Sequence, residues 1–306
     1  MHVACVGGVN LDLKARAVAP LAMASSNPGR IRRNAGGVAG NVAAGLARLG
    51  VAASLFSVVG DDPAGHSLIE TYGQAGIDVR GLTPIAGAQT ATYSAVLDQG
   101  GELVVAIADA QVLEEVAEHW VYSTANAAAS ADVLFLDANL PEPAIAELVR
   151  ILGGSVAIVA DPVSAPKAVR FASQLPDLEV LFPDRAEAET LTGIAITDDA
   201  SAEAAAADLR RRGVPTVVLK LGHEGVLVAD SSARVHYPVI APDRVHDVTG
   251  AGDALAAGYL YGHSIGSADP VEYGLAAASL TVESGESIAP SLDRESIERR
   301  RVRAAH

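Results

Sequence analysis

Short apolar runs alternate along the chain with longer stretches in which apolar residues recur every three or four positions. Val3-Ala4-Cys5-Val6 is the first run, and Val133-Leu134-Phe135-Leu136, residues 156–160, Val180-Leu181-Phe182 and Thr216-Val217-Val218-Leu219 repeat it. Runs without polar alternation fit strands buried on both faces, as in parallel sheets covered by helices. Between them, Val38, Val42, Leu46 and Leu49 share neighbouring faces of a helix that stops at Gly50. A strand over 54–59 leads to a helix ending near Gln74, capped by Asp61 or Asp62, and an alanine-rich helix spans about 200–212. Strands at 92–97 and 103–107 flank Asp98-Gln99-Gly100-Gly101-Glu102 and predict a hairpin, as do 226–228 and 235–237. Residues 13–34 are irregular, with a turn over 25–30. The pattern predicts an α/β fold with a mostly parallel sheet covered by helices on both faces.

Polar residues gather where these strands end. Asn10 and Asp12 follow the first, Asp137-Ala138-Asn139 and Asp161-Pro162 two others, and Pro183-Asp184-Arg185-Ala186-Glu187 a fourth. Open α/β sheets take ligands beyond the carboxyl ends of their strands, so Asn10 and Asp12 either hold ligand hydroxyls or form an Asx turn. Gly36 and Gly37 open the helix that carries Asn41, which offers both donor and acceptor. Glycines there let backbone amides approach a ligand.

The richest stretch is Asp247-Val248-Thr249-Gly250-Ala251-Gly252-Asp253, running into a small-residue helix. The first amides of a helix lack internal partners and carry the positive end of its dipole, which favours an anion. A carboxylate beside an anion site is a poor binder but suits deprotonation of a hydroxyl that attacks phosphate. On its own, Asp253 equally reads as a residue of an ordinary helix start.

Composition narrows the class. Half of the 306 residues are hydrophobic, enough for one large domain over 1–306. The 37 acidic against 22 basic residues, net −15, argue against nucleic acid or an anionic membrane as partner. Arg210 to Arg212 and Arg299 to Arg303 read as solvated helix faces. Cys5, the single cysteine, excludes an internal disulfide and reads as a buried small hydrophobe. The histidines lack metal-ligand spacing. No signal peptide or membrane-length apolar run is evident, so the cytoplasm is the expected location.

Gly36-Gly37-Val38-Ala39-Gly40-Asn41 and Asp247-Val248-Thr249-Gly250-Ala251-Gly252-Asp253 resemble the two signatures of the ribokinase-like (PfkB) family of sugar and nucleoside kinases. The resemblance covers essentially the whole chain. It implies a ribokinase-like fold with a small β lid from parts of 13–35 and 91–108, a surface also expected to serve a homodimer. It implies phosphorylation of an alcohol by ATP, with Asp253 as base and Gly250, Ala251 and Gly252 as the anion hole. Asn10, Asp12, Gly36, Gly37, Asn41 and Asn139 would hold a small nucleoside or sugar. Asp184 and Glu187 occupy the family's Asn-x-x-Glu, whose Glu acts indirectly on magnesium; Asp184 departs from the pattern and adds charge near ATP. Lys220, Gly222, Gly225 and Thr249 are the remaining ATP candidates, with His223 reaching either the nucleotide or solvent, and Asp247 and Thr249 mark a site for potassium.

Ser26-Asn27-Pro28-Gly29-Arg30-Ile31, Val105-Ala106-Ile107-Ala108-Asp109, Asp137-Ala138-Asn139-Leu140 and Asp161-Pro162-Val163-Ser164 resemble family members that phosphorylate the 5′-hydroxyl of pseudouridine. Asn27 and Asp109 are then the candidate acceptors for the ring N–H that uridine lacks. A kinase of a free sugar or another nucleoside is the alternative. A non-catalytic nucleoside or sugar sensor is a third reading, supported only by Asp184.

Overall fold

The computed structural model describes residues 1–304. In chain order, the first elements are β1 (His2–Val6), β2 (Asn10–Ala17), β3 (Gly29–Gly36), α1 (Val38–Arg48), β4 (Ala52–Gly60), α2 (Pro63–Gln74) and β5 (Asp78–Ile85). Then come β6 (Thr92–Leu97), β7 (Leu103–Asp109), α3 (Gln111–Glu114), α4 (Glu118–Ala128), β8 (Val133–Asp137), α5 (Glu142–Leu152), β9 (Ala157–Asp161) and α6 (Ala165–Ala168). The remainder is β10 (Val180–Leu181), α7 (Arg185–Thr192), α8 (Asp199–Arg211), β11 (Thr216–Lys220), β12 (Val226–Ala229), β13 (Arg234–Tyr237), α9 (Ala251–Ser264), α10 (Pro270–Val282) and α11 (Arg294–Ala304).

Nine strands form one sheet in the order β13-β12-β11-β10-β9-β8-β1-β4-β5, parallel except for β12 and β13 at one edge. β1 shows why the apolar runs were readable. It pairs with β4 and β8 on its two sides, and its alternate residues enter opposite cores. Val3 and Cys5 belong to the core on the side of α1, α9 and α10; Ala4 and Val6 belong to the core on the side of α4, α5 and α8. A strand covered on both faces has no position for a polar side chain, and each large aliphatic residue buried this way contributes about 1.5–3 kcal/mol.

A second, four-stranded sheet has the order β3-β2-β6-β7. The irregular stretch 13–34 therefore contains most of two strands, joined by residues 18–28. β3 carries Arg30, Arg32 and Arg33 and lacks the apolar alternation that marks a half-buried strand, whereas β2 alternates, Leu11, Leu13, Ala15 and Ala17 against Asn10, Asp12, Lys14 and Arg16. β5 was also illegible, being an edge strand with a single buried residue, Leu82. The hairpin at 92–109 pairs antiparallel, as expected.

Asp62 rather than Asp61 caps α2, accepting the Gly65 amide at 2.8 Å. The run Arg299 to Arg303 is only partly a solvated face. Arg300 is buried and forks onto Glu283 at 2.7 and 2.9 Å, and Arg301 stacks 3.7 Å over the Tyr273 ring. A planar guanidinium matches carboxylate and aromatic partners that spacing alone does not reveal. Cys5 is buried and free. Among the described residues no helix is long and apolar enough to cross a membrane.

Candidate active site

The carboxyl ends of β1, β8, β9 and β11 converge with the starts of α1 and α9. Asp137, wholly buried at the end of β8, ties several of these together. Its carboxylate accepts the Gly8 amide at 2.9 Å, the Ala39 amide at 2.8 Å and the Asn139 amide at 2.8 Å. Burial pushes its pKa up to about 6, against the pull of those amides. The start of α1, expected to present amides to a ligand, is thus served by a carboxylate of the chain itself. The glycines before it act by their size. A Cβ on Gly36 would fall 2.5 Å from Asp12 Oδ2, and Gly37, at φ +94°, lies against the Gly8 carbonyl.

Asp12 is buried on β2, accepting from Asn10 Nδ2 at 2.6 Å. Burial raises its pKa, while Asn10 and Lys14 draw it back. Asn41, also buried, donates its Nδ2 to Asp253 Oδ2 at 2.7 Å. The buried Tyr72 hydroxyl donates to the Gly36 carbonyl at 3.0 Å. Its pKa is raised first by burial and then by the charges of Asp12 and Asp253.

Asp253 is the third residue of α9, whose N-cap Gly250 has φ +79°. A side chain at Gly250 would overlap the Ser287 carbonyl, so the turn requires glycine twice over. The Ala251 amide turns back to the Val248 carbonyl at 3.2 Å and the Ala254 amide to Gly250 at 2.8 Å. Of the expected trio, Ala251 therefore contributes little bulk rather than a donor, and the Gly252 and Asp253 amides are left for an anion. Burial lifts the Asp253 pKa to about 7, helped by the charge of Asp161 and opposed by Asn41 and Lys220.

Lys220, at the end of β11, brings a cation to this helix start. Its Nζ is 2.8 Å from Asp161 Oδ2, 3.9 Å from Glu187 Oε2 and 3.5 Å from where a Cβ on Gly252 would stand. Burial would lower its pKa, but Asp161 and Glu187 outweigh that and hold it charged. Asp184 caps α7. It accepts the Glu187 amide at 2.8 Å while Glu187 Oε2 accepts the Asp184 amide at 2.7 Å. An aspartate at 184 is thus accounted for by a reciprocal capping box. Burial raises the Glu187 pKa against the pull of Lys220. Among the described residues no three acidic, histidine or cysteine side chains cluster as a metal cage. Glu187 beside Asp184 suits an ion such as magnesium, which takes most of its ligands from phosphate and water.

Beside Lys220 lies a cavity of about 420 Å³, walled by Val226, Val239, Leu255, Leu275 and Val282 with Gly222 and Gly225 at its edge. Its size and apolar walls fit a flat heterocycle. His223 is exposed at this edge, and Thr249 lies outside these walls.

Asn139 Oδ1 accepts from Lys167 Nζ at 2.8 Å, and Arg170 donates to the Leu140 carbonyl at 2.9 Å. Burial lowers the Lys167 pKa. Neither residue belongs to a motif; each follows Asp161-Pro162, whose strand-end position was the only available signal. Asp109 is exposed at the end of β7, two strands from β2. Asn27 is not with the others. Its amide is consumed by its own loop, bonded to Ala22 at 2.8 and 3.0 Å and Ser25 at 3.1 Å, beyond the far end of β2 from Asp12.

The likeness to known proteins agrees with this geometry. The pfkB family carbohydrate kinase pattern matches residues 1–294. A pseudouridine kinase of Escherichia coli (strain K12) is 35% identical over 257 residues, 84% of this chain and 82% of that protein. An uncharacterized sugar kinase of the same organism, YeiI, is 32% identical over 94% of this chain and 80% of its own length. A solved carbohydrate kinase from Agrobacterium tumefaciens superposes with a TM-score of 0.85 at 31% identity, covering 98% of this chain and 97% of that one. Family match, ribokinase-like α/β sheet and glycine-bounded helix start agree, and the chain belongs to the pfkB family of carbohydrate kinases.

Proposed function

We propose that this kinase transfers the γ-phosphoryl group of ATP to the 5′-hydroxyl of pseudouridine. The observation that carries the chemistry is the 2.7 Å contact between Asn41 and Asp253 at the start of α9. It holds a carboxylate of raised pKa between a helix start suited to phosphate and the residues suited to an acceptor. Asp253 takes the hydroxyl proton as that oxygen bonds to the γ-phosphorus and the bond to ADP breaks. The Gly252 and Asp253 amides and the Lys220 ammonium stabilise the charge on the transferring group. Glu187, with Asp184 beside it, would hold a magnesium ion, which would supply charge to neutralise the phosphates. The cavity beside Gly222 and Gly225 takes the adenine.

Asp12 and Asn10 hold the ribose hydroxyls, and the small sheet that carries them serves as a lid. Asn139 supports the nucleoside reading, because its neutral amide is already shared with Lys167. The 35% identity to a pseudouridine kinase supports it independently. The free-sugar alternative draws on the likeness to a sugar kinase over 94% of this chain. The capping role of Asp184 removes the ground for a non-catalytic sensor.

The test is phosphorylation of pseudouridine, uridine and ribose by purified enzyme with Mg-ATP, the products identified by mass. Pseudouridine should give the highest kcat/KM and a 5′-monophosphate. Faster phosphorylation of ribose would replace this reading with the sugar-kinase one.

A further inference from the structure

The expected potassium site is where this chain's own side chains fit the ion poorly. Asp247 Oδ2 lies 2.5 Å from Lys14 Nζ, and Asp247 Oδ1 accepts the Thr249 amide at 2.9 Å. Both oxygens of the proposed ligand are therefore engaged, one of them by a full positive charge. Glu283, in the segment after α10, is engaged too, carrying the Arg300 fork on both oxygens. The Lys14 and Asp247 side chains retain only 14% and 27% of their exposure, so solvent competes weakly for the pair.

Asp247 is well placed to transmit this contact. The His246 and Asp247 amides both donate to the Val282 carbonyl at the end of α10, at 2.7 and 3.3 Å. Through Thr249, the same residue leads into the Gly250 turn that opens α9. Lys14 stands two residues after Asp12 on β2, so both side chains leave the same face of the small sheet. The Lys14–Asp247 contact thus ties the face of the small sheet that bears Asp12 to the turn before α9.

We propose that the Lys14 ammonium replaces a monovalent metal ion at the turn before α9, so that closure of the small sheet completes the anion hole without potassium. Lys14 is a positioning residue here, acting through Asp247 and the turn, and it touches neither substrate. The rate arm of the test rests on the phosphotransfer reading; the melting arm does not.

Wild-type enzyme is compared in potassium chloride and in tetramethylammonium chloride at equal ionic strength, by turnover and by melting temperature. Rates should agree within about twofold and the melting temperature should not move with the cation. Lys14→Met should lose about tenfold in kcat in tetramethylammonium, regain most of it in potassium, and melt higher in potassium. Lys14→Arg should keep the wild-type indifference. A wild-type rate or melting temperature that climbs with potassium overturns the proposal, as does a Lys14→Met enzyme equally impaired in both salts. The wild-type comparison decides the matter even if the variant does not fold, and the melting comparison decides it even if no acceptor tested is phosphorylated.

Discussion

Asn41 and Asp253, 212 residues apart in the chain, meet at 2.7 Å between Asn41 Nδ2 and Asp253 Oδ2. The contact joins the two helix starts that carry the family signatures, α1 and α9. It also fixes the direction of one carboxylate oxygen and leaves the other for a substrate. Asp253→Asn keeps the shape and removes the base, so turnover should fall by at least ~10²-fold. ADP affinity measured by calorimetry should change little. Near-normal turnover with unchanged ADP binding would eliminate Asp253 as base.

The same contact sets a pH dependence. Burial and Asp161 raise the Asp253 pKa to about 7, while Asn41 pulls it down. A base works in its ionised form, so kcat/KM should rise with pH through about 7 and fall close to tenfold per unit below it. Asn41→Ala removes a bond that favours the carboxylate, and the rising limb should move to higher pH. Because Asn41 is also proposed to touch the acceptor, the position of the limb is diagnostic and its height is not. An unmoved limb would mean that another group controls the profile.

Lys220 holds two buried carboxylates, Asp161 at 2.8 Å and Glu187 at 3.9 Å. Lys220→Met preserves the apolar stem and removes the charge, leaving both acids without their cation. Breaking a buried pair from one side costs about 3–5 kcal/mol, and a urea titration should show a loss of that order. The KM for ATP should rise as well. A variant as stable as wild type would mean that the acids are protonated or solvated rather than paired.

What was legible in the sequence follows from how each residue is constrained. β1 and β8 announced themselves because both of their faces are covered, which excludes polar side chains. Gly250 and Asp253 were legible because a tight turn into a helix tolerates few alternatives. β3 was hidden, since a strand bearing Arg30, Arg32 and Arg33 has no apolar stripe to read. Contacts between distant side chains were hidden for a different reason. Nothing local distinguishes Lys14 from a solvated lysine until Asp247, 233 residues later, is folded against it. Lys167 was likewise silent, a lysine in a four-residue helix whose partner Asn139 lies on another strand end. In β2, Asn10-Leu11-Asp12-Leu13-Lys14 alternates strictly, which places Asp12 and Lys14 on one face.

The exposed side of β7 bears on assembly. Leu103, Val105 and Ile107 are 57%, 52% and 69% exposed, alternating along the last strand of the small sheet. An open strand edge with an apolar face invites pairing with a second copy. Light scattering should show a dimer, and Ile107→Glu should shift it to a monomer. A wild-type monomer at assay concentration would rule out this surface as a dimer contact.

The proposed selectivity for pseudouridine over uridine turns on one proton, a ring N–H in the first where the second has C–H. A site with that selectivity needs an acceptor; Asn27 and Asp109 are the candidates from the sequence, and the structure adds Asn139. The Asn27 amide is spent on Ala22 and Ser25 within its own loop. Asn139 Oδ1 takes one proton from Lys167 at 2.8 Å, and an amide oxygen has a second lone pair to offer. Discrimination built on a paired buried donor reaches ~10⁴-fold, far more than shape supplies. Asn139→Leu should therefore narrow the pseudouridine-to-uridine ratio of kcat/KM by at least ~10-fold, mostly by slowing pseudouridine. Asn27→Ala should leave the ratio unchanged, and Asp12→Ala should depress both nucleosides together because it acts on the ribose they share. Should Asp109→Ala narrow the ratio while Asn139→Leu does not, the acceptor belongs to the end of β7, and Asn139 serves only to anchor Lys167.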